Sequence, residues 1–133
     1  MKFKLASKEK EKIKINLIEI IQNKEEVIFA YLHGSFLSNG FNDIDLAFFV
    51  SEIEDILDYE ISVSLDIEKQ IHFPIDVKVL NPAPLGFKYE VTKGELLFSR
   101  DEEIRTSFLE KTWHQYLDFK PIEKEILMDM MEQ

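Results

Sequence analysis

Two carboxylates set two residues apart, Asp43 and Asp45, open an otherwise apolar run that continues to Val50. Upstream, a Gly34-Ser35 pair closes a second apolar run, Ile28–Leu32, with seven residues between Ser35 and Asp43. Alternate residues of a strand share a face, so Asp43 and Asp45 project together while Ile44 and Leu46 go the other way. Two acids side by side at the edge of an apolar environment repel each other and resist desolvation, and a divalent cation removes both penalties. Oxygen-only ligands suit a hard ion such as magnesium, which commonly joins one or two carboxylates to substrate phosphates. A Gly-Ser turn can offer those phosphates backbone N–H groups and a hydroxyl. Asp-x-Asp alone recurs in turns and surface strands, and Gly-Ser alone usually marks a loop. In this order, between two apolar runs, they point to a site for a metal–nucleotide complex.

A third acid, Asp76, stands in Ile75-Asp76-Val77-Lys78-Val79-Leu80. Alternation puts Ile75, Val77 and Val79 on one face and Asp76, Lys78 and Leu80 on the other. A buried acid must be paired or metal-bound; a salt bridge to Lys78 or an edge position facing water are the plainer alternatives. If this strand lies beside that of Asp45, the three acids share one patch. They could then hold two metal ions about 3.5–4 Å apart, the clamp used for in-line displacement at phosphorus.

The elements that must position these residues follow from periodicity and punctuation. Ser7 is expected to cap a first helix, with Ile13, Leu17, Ile18 and Ile21 on one side. Val27–His33 and Ile44–Val50 read as strands, the second apolar on both faces beyond its acids, as in a strand covered by helices. Residues 52–72 carry both periodicities; their length and acidic start favour a helix bearing Ile53, Ile56, Leu57, Val63, Ile67 and Ile71, stopped by His72-Phe73-Pro74. Ile75–Leu80 is a third strand, broken by Asn81-Pro82-Ala83-Pro84. A short helix over Leu85–Thr92 ends near Gly94, and Leu96–Phe98 forms a brief edge strand. Asp101 caps a helix carrying Ile104, Phe108, Leu109, Trp113, Tyr116 and Leu117. Pro121 starts a last helix with Ile122, Ile126, Leu127, Met130 and Met131 on one side. Trp113 and Tyr116 read as core, His33 as a strand-end histidine satisfied by a backbone carbonyl, and His72 and His114 as structural. Met128, Met130 and Met131 read as core packing, with a partner contact as the alternative.

The 133 residues suit one domain, 1–133, with a single core. The net charge of −10 repels nucleic acid, and no basic stripe offsets it, so direct nucleic-acid binding is not expected. The chain has no cysteine, which rules out disulfides and thiolate metal sites and fits a reducing cytoplasm. No apolar run suggests a secretory signal or a membrane span.

His33-Gly34-Ser35, the Asp43-x-Asp45 pair and the later Asp76 together resemble the signature of the minimal nucleotidyltransferases of the DNA polymerase β superfamily. Leu97–Asp101 and Tyr116–Pro121 resemble the subgroup paired with HEPN-type ribonucleases in toxin–antitoxin modules. The resemblance implies an α/β fold of the polymerase β-like nucleotidyltransferase type, a small mixed sheet flanked by helices. It implies ATP as substrate and magnesium as cofactor, two ions per site. Gly34 and Ser35 would hold the triphosphate, Asp43 and Asp45 the metals, and Asp76 a metal while helping to activate the attacking hydroxyl. By the same resemblance the protein is an antitoxin that moves AMP onto a tyrosine of a HEPN-type toxin; homo-oligomerisation is left open. Two features depart from the pattern: the Ser35–Asp43 interval is shorter than usual, and no basic residue follows the Gly-Ser pair. Phosphate charge would then be met by metal, by backbone N–H groups, and by a lysine from elsewhere, Lys78 or Lys88. Neutralisation of a toxin by binding alone and transfer to a small molecule are the alternative functions.

Overall fold

The computed structural model describes residues 2–38 and 40–132, with side chains as far as Asp118. Helix α1 (Ser7–Gln22) leads into strand β1 (Val27–His33), which ends in a 3-10 turn, Gly34–Leu37. Strand β2 (Ile44–Val50), helix α2 (Ile56–Ile71) and strand β3 (Ile75–Val79) follow. Helix α3 (Leu85–Thr92), strand β4 (Glu95–Ser99) and helix α4 (Glu102–Glu132) complete the chain. The sheet order is β3-β2-β1-β4, with β2 and β3 parallel and both neighbours of β1 antiparallel to it. A parallel pair needs a crossover, and α2 supplies it.

The apolar faces explain the layering. Leu17, Ile21 and Ile67 from α1 and α2 pack on Leu32, Leu46, Phe48 and Val77 of the sheet. On the opposite face Val91 of α3 and Phe108 of α4 pack on Phe29, Tyr31 and Ala47. A strand covered on both sides must be apolar on both, which β2 is from Leu46 onward.

The exposed edge of β3 is closed in an unusual way. The N–H groups of Ile75, Val77 and Val79 donate to Glu68 Oε1 (3.3 Å), Ser64 Oγ (2.9 Å) and Glu60 Oε2 (2.8 Å) of α2. Four helical residues rise about 6 Å and two strand residues about 6.6 Å, so an i, i+4, i+8 row on a helix matches alternate strand positions. The edge donors are therefore satisfied within the chain.

Several expectations are corrected. Ser7 is the first helical residue rather than the cap, which is Ala6 and makes no side-chain cap bond. The third strand stops at Val79, and the fourth is longer than expected, Glu95–Ser99. Leu57 is exposed rather than part of the buried stripe, because it lies about 120° round the helix from Val63. The last helix does not start at Pro121: α4 runs through it unbroken. Proline removes one N–H and crowds the preceding turn, but the helical bonds on either side can persist. Trp113 is 48 % exposed, not core. Phe108 packs on the sheet through Phe29 and Phe49, whereas Trp113 lies against α3, where its Nε1 donates to Thr92 Oγ1 (3.1 Å). Tyr116 is half-buried, stacked on Tyr89 at 3.7 Å. The methionine cluster falls outside the described side chains. Among the described residues, no helix is long and apolar enough to cross a membrane.

An aromatic cage fixes the segment between the Gly-Ser turn and β2. Phe41 is fully buried against the rings of Phe3, Phe36 and Phe73, and its backbone pairs with that of Phe3 (2.8 and 3.1 Å). Phe41→Ala should destabilise the protein by about 3–5 kcal/mol, and Phe41→Leu by clearly less, read from urea midpoints at constant m-value. Equal midpoints for the alanine variant and the wild type would show that the cage carries no stability.

Candidate functional site

Strand register brings the acids together. Asp45 lies opposite Asp76 across the parallel pair and opposite His33 across the antiparallel pair. The three therefore form a row over β1, β2 and β3, on the face that carries Tyr31, Ala47 and Leu80. Asp43 stands exposed just ahead of β2, near enough for its charge to act on Asp45. Partial burial, then the charge of Asp76, then that of Asp43 push the Asp45 pKa from 3.8 up to about 6, while Lys78 pulls the other way.

Gly34 is required here for two reasons. Its φ of +78° is a conformation that L side chains rarely adopt, and a Cβ built on it would stand 2.3 Å from Asp45 Oδ2. The space a side chain would need is held by the second acid of the pair, so the Gly-Ser turn and the acid strand touch. Ser35 is exposed, and its carbonyl accepts from the N–H (3.0 Å) and hydroxyl (2.9 Å) of Ser38, which tightens the turn. The first N–H groups of such a turn have no partner within it and are available to an anion.

The donor set suits a hard divalent cation: carboxylate oxygens, crowded, with one cation beside them. Lys78 Nζ is 3.7 Å from Asp76 Oδ1, and both side chains are about half exposed. Among the described residues, no three acid or histidine side chains already close on a common point. The acids are neighbours by register, and Asp76 pairs with Lys78.

His33 corrects its expected role. Its Nε2 is sealed from solvent with no hydrogen-bond partner among the described residues, and its ring meets Phe87 edge-on at 5.5 Å. Strand β1 is central, so nearby carbonyls are committed to ladders on both sides. Burial pushes the pKa of His33 down, with the charge of Asp76 opposing.

Lys10 is a residue that the sequence did not reveal. From α1 its Nζ donates to the carbonyls of Phe36 (2.7 Å) and Ser38 (2.5 Å) and sits 5.0 Å from the Phe36 ring centroid. It caps the end of the Gly34–Leu37 turn. Lys8, Lys10, Lys12 and Lys14 look alike in a lysine- and glutamate-rich helix, so no signal sets Lys10 apart. The sequence marks Gly94 only as a helix end; a Cβ there would stand 2.3 Å from the Leu32 carbonyl oxygen, so the chain after α3 packs directly on the end of β1.

The raised pKa of Asp45 has a consequence for stability. The folded state holds this proton more tightly than the unfolded chain does. Its contribution is complete below about pH 4 and is lost as pH rises through about 6. Discounted for solvent screening, the effect is on the order of 1 kcal/mol. Asp45→Asn should therefore raise the metal-free Tm by about 2–5 °C near neutral pH, with the gap closing below about pH 4. Calorimetry across that range checks it; a variant less stable than wild type at neutral pH would contradict the electrostatic account.

The model of the family described as "Polymerase beta, Nucleotidyltransferase" matches residues 15–103, which include the Gly-Ser turn and all three acids. No curated protein matches the chain. Among solved structures, a chain of the tri-AMPylated Shewanella oneidensis HEPN toxin in complex with MNT antitoxin superposes with a TM-score of 0.72 at 18% identity, over 92% of this chain and 98% of that one. A chain of the toxin–antitoxin MntA-HepT gives 0.71 at 18% identity, over 91% and 98%. A chain of a toxin–antitoxin structure with AMP-PNP gives 0.72 at 19% identity, over 89% and 98%. At such identities the likeness establishes the fold, an α/β nucleotidyltransferase architecture. With two thirds of its length matched by the family model, this chain belongs to the polymerase beta nucleotidyltransferase family.

Proposed function

We propose that the protein transfers AMP from ATP to a hydroxyl of a HEPN-type toxin and acts as its antitoxin. The observation that carries the reading is the meeting of Asp45 and Asp76 at one register position, directly against Gly34. Similar solved chains come from a complex with a tri-AMPylated HEPN toxin and from a structure with AMP-PNP, which supports both partner and nucleotide.

Asp43, Asp45 and Asp76 would hold magnesium, which when bound neutralises triphosphate charge and lowers the pKa of a nearby hydroxyl. Backbone N–H groups of the Gly34-Ser35 turn orient the phosphates, and the Ser35 hydroxyl adds a further donor. Lys78, half exposed beside Asp76, supplies positive charge at the reacting phosphate. The acceptor oxygen forms a bond to the α-phosphorus, and the bond from that phosphorus to the bridging oxygen breaks. Pyrophosphate leaves with the electron pair, and Asp76 takes the hydroxyl proton. Positioning and charge do most of the work in such a transfer.

Binding-only neutralisation is favoured by one observation: Lys10 is engaged on carbonyls, and Lys78 is the cation beside the acids among the described residues. Intact-mass spectrometry separates the two. The chain, ATP, magnesium and the protein encoded by the adjacent reading frame should yield that protein heavier by one or more AMP units. Asp43→Asn and Asp76→Asn should lower the rate at least about a hundredfold while leaving the far-ultraviolet spectrum unchanged. A stable complex with no mass gain would reject transfer in favour of binding alone.

Lys10 positions the turn that holds the triphosphate. Lys10→Met should weaken ATP binding about three- to tenfold, with Lys10→Arg restoring most of it, measured by calorimetric titration. Unchanged ATP affinity in Lys10→Met would confine Lys10 to a purely structural role.

A further inference from the structure

Beyond the acids, the open side of the site leads onto an apolar stripe. Helix α2 turns Leu57, Ile61 and Leu65 outward, 65, 55 and 54 % exposed, at i, i+4 and i+8. The same helix already buries Val63, Ile67 and Ile71 against the sheet, so the outward stripe is a second apolar face. Leu57, Ile61 and Leu65 line one wall of an open groove of about 370 Å³, which also takes in Asp43, Asp76 and Lys78. The direction of the stripe follows from the hydrogen bonds along β3. Ser64 meets Val77 and Glu60 meets Val79, so the stripe starts near Asp76 at Leu65 and runs away from it to Leu57. Its length is about 12 Å, two helical turns.

Two observations restrict what can lie there. A strand cannot add to β3, although β3 is at the sheet edge, because its outward N–H groups already donate to Glu60, Ser64 and Glu68. Recognition must then run through side chains, as when an amphipathic helix lies in a groove. In the metal-free chain the charge is also one-sided: Glu60, with Asp43 and Asp76 at the near end, faces a single Lys78 in the groove, on a chain of net charge −10. Cationic flanks on the occupant complement this.

We propose that this groove is the acceptor-docking surface: it takes an amphipathic helix of the protein substrate, apolar on one side and lysine- or arginine-flanked, and delivers a hydroxyl-bearing residue to Asp76. The assignment rests on the transferase reading above, and its test is separable from it.

The probe is a fluorescein-labelled, lysine-flanked amphipathic helical peptide of about two dozen residues with one tyrosine at the end of its apolar stripe; a glutamate-flanked peptide with the same stripe is the control. Fluorescence anisotropy with the full chain should show at least tenfold tighter binding of the lysine-flanked form. Ile61→Glu, at an exposed position, should cost at least tenfold in peptide affinity and leave ATP affinity and Tm unchanged; Leu57→Ser with Leu65→Ser should act the same way. Equal peptide binding by wild type and Ile61→Glu, or no preference between flanks, overturns the proposal. So does sedimentation showing a wild-type dimer that Ile61→Glu dissociates, because the stripe would then be covered by a second copy. A wild type that binds the peptide but not ATP would sink the transferase reading and leave the docking surface standing.

Discussion

The constraint on which the site depends is the placement of one carboxylate. Asp45 occupies space that any side chain at position 34 would need, and it faces Asp76 across the neighbouring strand. Both neighbours are fixed by backbone hydrogen bonding, so the acid cannot escape its like-charged partner by shifting register. A one-residue slip of β2 would send Asp45 to the apolar face and bring Ile44 or Leu46 to the site, exposing the core stripe. The sheet that makes the core is therefore what holds the charges together. The cost appears as a pKa for Asp45 raised to about 6, and a cation bound between the acids would relieve the same like-charge repulsion.

Much of this arrangement was legible in the residues. Strand alternation at Ile75–Leu80 put Asp76 and Lys78 on one face, and the structure shows that division, with Ile75, Val77 and Val79 in the core. The boundaries of β1, β2 and α3 follow from Gly34, the acid pair and the flanking prolines. Contacts between distant segments were not legible. Lys10 reaches Phe36 and Ser38 across the fold, and nothing in a repeating lysine–glutamate helix marks one lysine over another. At Gly34 the sequence points to a turn that offers N–H groups to phosphate, but it does not show that the nearest obstacle to a side chain there is Asp45. Trp113 and Leu57 show the limit of apolar patterning, since composition tells that a residue is apolar but not whether a neighbour is present to cover it.

Helix α2 shows how much one helix can carry when each of its faces has its own period. Val63, Ile67 and Ile71 build the core; Glu60, Ser64 and Glu68 close the sheet edge; Leu57, Ile61 and Leu65 face outward. The three rows are each spaced by four residues and offset by one or more, which is why residues 52–72 read as helix and strand at once. Alternating apolar and polar residues over Ile61–Ile67 arise from two interleaved helical rows, one inward and one outward. The ambiguity in the sequence is thus the trace of a helix with two apolar faces.

The short interval between Ser35 and Asp43 finds its physical counterpart in the same region. A longer, basic segment after a Gly-Ser turn could reach phosphate with its own side chains. Here Phe36 and Phe41 turn inward, fully buried, and draw the segment onto Phe3 and Phe73. A segment so anchored cannot also extend a cation over the turn. Lys10 instead approaches from α1, on the carbonyl side, where positive charge offsets the negative end of the turn and leaves the opposite, N–H side open. Charge is supplied to the turn from behind rather than to a ligand in front. Under the transferase reading proposed above, the acids, the turn and Lys78 would be left to meet the anionic substrate, with a rigid turn in place of a mobile basic arm.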